Sequence, residues 1–389
     1  MVKAARFAGF GQTVFAEMSA LAAARGAINL GQGFPDFDGP AFVREAAIAA
    51  IAAGHGQYAP TAGVPDLAGA IAGRFSARTG IAVDPGAEVT VTSGCTEALA
   101  SAFLGLVDPG DEVILFEPYF DSYPACAAMA GAVPRYVTLT PPGFRIEREA
   151  VAAAITGRTR AVLLNTPHNP TGRVFDLAEL EAVAALCREH DLLLITDEVY
   201  EDLVFEGIHH SPAAMDGMWE RTLSLSSLGK SFSLTGWKVG WGIGPPSLTE
   251  GLRAAHQFVT FATATPLQHG AAAALRAGDD YYREFVAGYR RRRDLLVSGL
   301  ADLGFEVYRP QGTYFVLADH TPFGVGDDVA FARFLIEEAG VAAIPPGAFY
   351  HRPGDGARLI RFAFCKEMAT LEAALDRLQV LRRFRPGGR

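Results

Sequence analysis

The sequence predicts an α/β fold, with a large domain built on a mainly parallel sheet flanked by helices and a smaller α+β domain beside it. Two observations carry this. From about residue 45 to 280, short apolar runs alternate with Ala-rich helical stretches, and the runs are nearly continuous in apolar residues. Parallel strands buried on both faces have that composition. Element by element, Val89–Thr92 reads as a strand and Thr96–Leu106 as the helix after it. Asp111–Phe116, Ala161–Leu164, Leu192–Thr196 and Thr222–Leu225 read as further strands, with helices such as Leu177–His190 between them. The C-terminal third differs. Tyr281–Leu303 is a long Arg-studded helix, Gly312–Leu317 and Leu359–Phe364 are strand-like, and a final helix starts at Met368. The expected division is therefore a large domain over 45–280 and a small domain made of 1–44 with 281–389. The tail Arg382–Arg389 is basic and Gly-rich and is expected to fray.

Composition narrows the function classes. The chain has 389 residues, 50% of them apolar, enough for two domains each with its own core. The formal charge of −9 argues against nucleic acid, whose phosphates an acidic surface repels. No apolar run reaches the roughly 18 residues that a membrane helix needs. The opening Met1-Val-Lys-Ala-Ala-Arg6 lacks the apolar stretch of a signal peptide. Cys95, Cys126, Cys187 and Cys365 are scattered, as reduced thiols of a cytoplasmic protein are. No metal is expected, and His209-His210, with no partner at ligand spacing, is expected at the surface. Of the 34 basic residues, 30 are arginine, and only Lys3, Lys230, Lys238 and Lys366 are lysine. A lysine kept in such a chain is a candidate for work that arginine cannot do, such as forming a Schiff base. For Lys3 chance suffices.

In a parallel sheet, functional residues gather beyond the carboxyl ends of the strands. Five segments should converge there. The first is Ser226-Ser-Leu-Gly-Lys230, where a lysine in a Ser-rich turn either reaches into the rim or points into solvent. The second is Asp197-Glu-Val-Tyr200. A carboxylate at a buried strand end needs a cationic partner, and a pyridinium nitrogen is one. Tyr200 could then bond the ring's phenolic oxygen. The alternative is an N-cap Asp. The third is Asn165-Thr-Pro-His-Asn-Pro-Thr-Gly172, a rigid turn that would hold Asn169 against ring oxygen and substrate carboxylate. The fourth is Gly94-Cys95-Thr96 at a helix start, where free N–H groups suit a phosphate. Phe120 either stacks on a flat ring or packs in the core. The fifth is Arg361 in an apolar strand. It either clamps a substrate carboxylate or lies on an edge facing water.

Together the segments resemble the class I/II pyridoxal-phosphate aminotransferases of fold type I, over about Phe15 to Leu378. The motifs are S-x-G-K followed by T-G-W-K-V-G-W, N-x-P-x-N-P-T-G and D-E-V-Y. The resemblance implies that Lys230 carries pyridoxal 5′-phosphate as a Schiff base and that Asp197 pairs with the ring nitrogen. It implies Tyr200 and Asn169 on the ring oxygen and Phe120 stacked on the ring. Gly94, Cys95, Thr96, Ser227 and Lys238 would hold the phosphate. Arg361, with Gly33 beside it, would take the substrate α-carboxylate. Tyr58 matches a family tyrosine that reaches the neighbouring subunit's phosphate, so the expected unit is a homodimer with shared sites. The implied reaction is ping-pong: the substrate amine displaces Lys230, the freed amine moves the Cα proton, and hydrolysis releases a 2-oxo acid before a second oxo acid reverses the sequence.

Within the family the chain is most similar to a subgroup with an N-L-x-Q-G-F-P-D-F block. It includes bacterial methionine, kynurenine/glutamine and N-succinyldiaminopimelate aminotransferases. The methionine type fits best, through Phe37-Asp-Gly-Pro40, Thr140-Pro-Pro-Gly-Phe-Arg145 and His256-Gln-Phe-Val-Thr-Phe261. Against the kynurenine type, Cys95-Thr96-Glu97 replaces a Gly-Tyr-Gly loop, Phe15 replaces a pocket tryptophan, and Ala262 a histidine. The expected side-chain pocket of Phe15, Phe34, Tyr314 and Phe261 is apolar and suits methionine or aromatic donors, with weak discrimination among them. A lyase acting on cysteine conjugates with the same cofactor is the rival reaction. A regulator fused to a DNA-binding domain is disfavoured, because roughly 15 residues precede the matched region. A nucleotide-binding oxidoreductase is disfavoured too, since Gly31-Gln-Gly33 and Gly240-Trp-Gly242 both miss the G-x-G-x-x-G spacing.

Overall fold

The computed structural model describes residues 3–11 and 14–384. Strand β1 is Ile28–Asn29, and β2 to β8 are Val89–Thr92, Glu112–Glu117, Val133–Thr138, Thr159–Asn165, Leu193–Asp197, Thr222–Ser227 and Gly240–Ile243. These seven form one sheet in the order β2-β8-β7-β6-β5-β3-β4. The pairs β4/β3, β3/β5, β5/β6 and β6/β7 are parallel, while β8 runs antiparallel to both its neighbours. The apolar runs read as strands are these strands within a residue or two. Their burial is nearly complete, as two helical layers require.

Two strands of this sheet were not foreseen. β4 lies at the edge and is half-exposed, so its sequence Val133-Pro-Arg-Tyr-Val-Thr138 is mixed. β8 carries Gly240 and Gly242, residues that usually weaken a strand. Here close packing demands them, since a Cβ on Gly242 would lie 2.5 Å from Leu252 Cδ2.

The helix Leu177–Glu189 opens on a capping box. Glu179 N–H donates to Asp176 Oδ1 at 2.9 Å, and Asp176 N–H donates to Glu179 Oε2 at 3.0 Å. The helix Asp279–Leu303 ends at Gly304, whose φ of 101° turns the chain. Beyond it lie β9 (Glu306–Tyr308), β10 (Phe315–Asp319), β11 (Val341–Ala342) and β12 (Leu359–Ala363). Strands β12-β10-β9 form an antiparallel sheet, and β11 pairs in parallel with β1, which ties the N-terminal segment to the C-terminal third. The helices Ala41–Ala52 and Asp279–Leu303 both cross the expected domain limits. The cores are not separate either. One continuous apolar cluster holds Leu99, Val113 and Leu163 together with Phe331 and Leu371. Of the tail, Gln379–Phe384 is a 3-10 helix with Leu381 buried, not frayed; residues 385–389 lie outside those described.

Candidate active site

The register of two central strands builds the site. Asn165 ends β5 and pairs with Asp197, which ends β6. The side-chain amide of Asn165 donates to the Asp197 carbonyl at 2.8 Å, and its Oδ1 accepts the Asn169 N–H at 2.7 Å. So N-x-P-x-N-P-T-G and D-E-V-Y are fastened to each other. Beside them β7 runs out into Ser227 and a one-turn helix, Leu228–Ser231, which carries Lys230.

One cavity is lined by ten of the expected residues: Gly94, Cys95, Thr96, Phe120, Asn169, Asp197, Tyr200, Ser227, Lys230 and Lys238. Lys230 is a cavity residue, not a solvated one. Its Nζ donates to Tyr314 Oη at 3.0 Å, and the Tyr314 hydroxyl donates to the Gly33 carbonyl at 2.5 Å. Burial pushes the Lys230 amine below its usual range, opposed by Cys365 and Asp197. Asp197 opens no helix and is 5% exposed. Burial pushes its carboxyl up from the carboxylate range. Pulling the other way are the Tyr123 hydroxyl at 2.8 Å, the Val199 N–H at 3.3 Å, Lys230 and the Cys95 thiol.

The opposite end of the cavity is cationic and rich in N–H groups. Gly94, at φ 79°, leads into the helix Cys95–Leu106, and a Cβ on it would come within 3.1 Å of Lys238 Nζ. A Cβ on Gly240 would lie 2.5 Å from Cys95 N. Two glycines thus let the helix start, the Lys238 amine and Ser227 close on one small volume, as an anion requires. Pyridoxal phosphate fits this donor set at each end: an amine for its aldehyde, a buried carboxyl for its ring nitrogen, and a cradle for its phosphate. Phe120 serves both readings made of it, lining the cavity while packing edge-on to Tyr123 at 5.7 Å.

Arg361 is 2% exposed, because the isolated bridge from Ile344 covers the edge of β12. Nη2 donates to the Gly31 carbonyl at 3.0 Å and Nη1 to Asn169 Oδ1 at 3.3 Å, while Nε has no partner among the described residues. The guanidinium lies 4.1 Å from the ring centre of Phe315, 5.0 Å from Phe349 and 5.1 Å from Phe15. No carboxylate of the described residues forms an ion pair with it. Burial lowers its pKa to about 10.

The expected side-chain pocket is only partly assembled. Phe15 packs on Phe349 and faces Arg361. Tyr314 is fully buried and spends its hydroxyl on Lys230 and Gly33, so it is a hinge of the lysine rather than a pocket wall. Phe34 and Phe261 are exposed, and Phe261 packs edge-on against Tyr58, itself 86% exposed and away from the cavity. The chain left to itself does not bring Tyr58 to this cavity. His209 corrects another expectation. It is not a surface residue: its side chain is 3% exposed and Nε2 pairs with Glu198 Oε2 at 2.8 Å. Glu198, Glu201 and His209 lie close enough to hold a metal ion, but each already has a protein partner. Sequence reasoning missed Tyr123 and Asn165, whose contacts come from the helix Ser122–Ala130 and from an adjacent strand end.

A family model described as aminotransferase class I and II matches residues 25–378. The solved structure of N-succinyldiaminopimelate aminotransferase from Mycobacterium tuberculosis is 47% identical, with a TM-score of 0.95, covering 98% of this chain and 100% of that one. Methionine aminotransferase of Escherichia coli is 42% identical over 95% of this chain and 96% of its own. Human kynurenine–oxoglutarate transaminase 1 is 39% identical over 97% and 98%.

Proposed function

Because the chain belongs to the class I and II aminotransferases, enzymes that use pyridoxal phosphate, we propose that it moves the α-amino group of an apolar or aromatic amino acid, methionine foremost, to a 2-oxo acid. The observation that supports this most is Arg361, a buried cation with an unpartnered Nε set among three phenyl rings. Such a group is costly unless a carboxylate completes it, and the rings beside it favour an apolar side chain.

Roles follow from the geometry. Arg361 and the Asn169 amide hold the substrate carboxylate. Asp197 holds a proton on the ring nitrogen, and Tyr123 keeps its carboxyl in place. Tyr200 and Asn169 face the ring oxygen, Phe120 its plane, and Gly94, Cys95, Thr96, Ser227 and Lys238 the phosphate. When bound, pyridoxal phosphate supplies an aldehyde that captures amines and a ring that spreads the charge left at the substrate Cα. Lys230 Nζ, freed as substrate binds, carries the Cα proton. Its lowered proton affinity suits that work, since the amine must be neutral to accept. Tyr314 orients the amine before and after transfer. Exposed Tyr58 and Phe261 fit a homodimer in which Tyr58 completes the partner's phosphate site. The division into 45–280 and 1–44 with 281–389, and a cytoplasmic location, belong to the same proposal. Among the described residues no helix is long and apolar enough to cross a membrane.

N-succinyldiaminopimelate is the second reading, favoured by 47% identity to an enzyme of that name. The deciding experiment titrates the purified yellow protein with methionine, phenylalanine, kynurenine, glutamate and N-succinyldiaminopimelate, following loss of the visible band. Methionine or phenylalanine should bleach it at the lowest concentration. Bleaching by N-succinyldiaminopimelate alone would move the assignment to the second reading. Pyruvate and ammonia from a cysteine conjugate, without amino transfer from methionine, would mark a lyase. Retained turnover in Lys230→Ala would end the proposal.

A further inference from the structure

Lys230 stands on a four-residue helix, Leu228–Ser231. One turn of helix does not hold itself together in isolation, so its position must be set from outside. Two serines flank the turn. Ser226 Oγ donates to Glu201 Oε1 at 3.1 Å, and Ser231 Oγ donates to Asp202 Oδ2 at 2.8 Å. Both acceptors follow the Asp197–Tyr200 motif directly in the chain. They are largely buried like charges on adjacent residues, an arrangement that repels unless neutralised. One guanidinium serves both. Arg78 Nη1 pairs with the second oxygen of Glu201, and Nη2 lies 2.7 Å from Asp202 Oδ1. Arg74, from the same helix Pro65–Thr79, adds a contact to Asp202 Oδ1 at 2.5 Å.

From this we propose that Arg78 is a positioning residue for the catalytic amine: by clamping Glu201 and Asp202 it fixes Ser226 and Ser231, and with them the Lys230 turn, against the segment that carries Asp197 and Tyr200. This rests on the reading of Lys230 as the reacting amine. Glu201 has no second arginine, so loss of Arg78 strands it, whereas Asp202 keeps Arg74. The stranded carboxyl must take a proton or swing toward water, and either loosens Ser226. A catalytic group displaced by about an ångström loses on the order of 100-fold in rate, and with half the clamp left the expected loss is smaller.

The test compares Arg78→Gln, Arg78→Lys, Ser231→Ala and Lys230→Ala as purified holoenzyme. It reads kcat, KM for the amino donor, the pH midpoint of the visible absorbance and Tm. Arg78→Gln should lower kcat by about 10-fold with KM changed less than about twofold, and should move the absorbance midpoint by about half a pH unit or more. Arg78→Lys should restore most of both. Ser231→Ala, which leaves the ion pairs intact, should move kcat and midpoint the same way with little change in Tm. If Arg78→Gln does not fold, Ser231→Ala decides. The inference is overturned if the folded variants keep the parental kcat and midpoint, or if their losses only follow Tm. Lys230→Ala separates the two claims. Turnover in that variant refutes the role of Lys230, whereas an inactive Lys230→Ala beside parental clamp variants refutes the clamp alone.

Discussion

Replacing Arg361 by methionine should separate a binding role from a structural one. An arginine buried for structure is ion-paired, and removing it leaves a carboxylate stranded at a cost of about 3–5 kcal/mol. Arg361 has no such partner. Its protein contacts are the Gly31 carbonyl at 3.0 Å, a long bond to Asn169 Oδ1 at 3.3 Å and three aromatic faces. Methionine keeps much of the packing against Phe15, Phe315 and Phe349 and removes the cost of an incompletely solvated cation. The two lost hydrogen bonds cost about 1 kcal/mol each, so stability should stay within about 2 kcal/mol of the parent. Catalysis should not be spared. Two charge-assisted bonds to a substrate carboxylate contribute about 3 kcal/mol, or on the order of 100-fold in kcat/KM. The assay is kcat/KM for the donor amino acid beside that for the amine lacking its carboxylate, with calorimetric Tm on the same samples. The amino acid should lose its advantage and the amine should not change. A variant that is destabilised by several kcal/mol, while keeping its preference for the amino acid, would show that Arg361 serves the fold.

Three further outcomes follow from single contacts. Tyr123→Phe removes the 2.8 Å donor to Asp197; a bond to an ionised acceptor is worth about 1.5 kcal/mol or more, so kcat should fall about 10-fold with KM for the donor little changed, and a parental kcat would remove Tyr123 from the site. Gly240→Ala puts a Cβ 2.5 Å from Cys95 N; the backbone there cannot yield without opening the cradle, so cofactor affinity, measured by equilibrium dialysis, should drop about 10-fold or more, and unchanged retention would mean that the cradle lies elsewhere. His168 is fully buried with Nδ1 2.8 Å from Thr171 Oγ1, and burial lowers its pKa from 6.5 to about 3. The unfolded chain therefore binds the extra proton first. The stability contributed by neutral His168 is complete above pH 6.5 and is lost as pH falls toward 3, about 2 kcal/mol of it by about pH 5. His168→Gln should flatten that acid limb in urea titrations, and an unchanged limb would assign it to other groups.

What could be read from the chain was whatever a strand's end determines. An apolar run that stops at a polar residue places that residue on the rim, and this located Asp197, Asn165 with its turn, Ser226–Lys230 and the Gly94 loop without any knowledge of the sheet order. Contacts supplied from another element were hidden. Tyr123 reaches Asp197 across 74 residues, and Tyr314 reaches Lys230 across 84; each looked like core or pocket, because an aromatic residue shows nothing in sequence of where its hydroxyl points. The stretch Asp197-Glu-Val-Tyr-Glu-Asp202 makes the limit concrete. Four acids lie within six residues, and the strand's alternation ends at Asp197, so no period remains to say which carboxylates face the cavity. Asp197 does. Glu198 turns to His209, and Glu201 and Asp202 turn to Arg78 and Arg74. The scarcity of lysine drew attention to Lys230, yet it was equally a sign that the supporting charge is arginine. Arg78 bridges two carboxylates at once, a task for a planar fork and not for a point charge. Hence the residue most informative about the catalytic turn beyond Lys230 itself sits 152 positions upstream, on a helix whose sequence shows only an amphipathic surface.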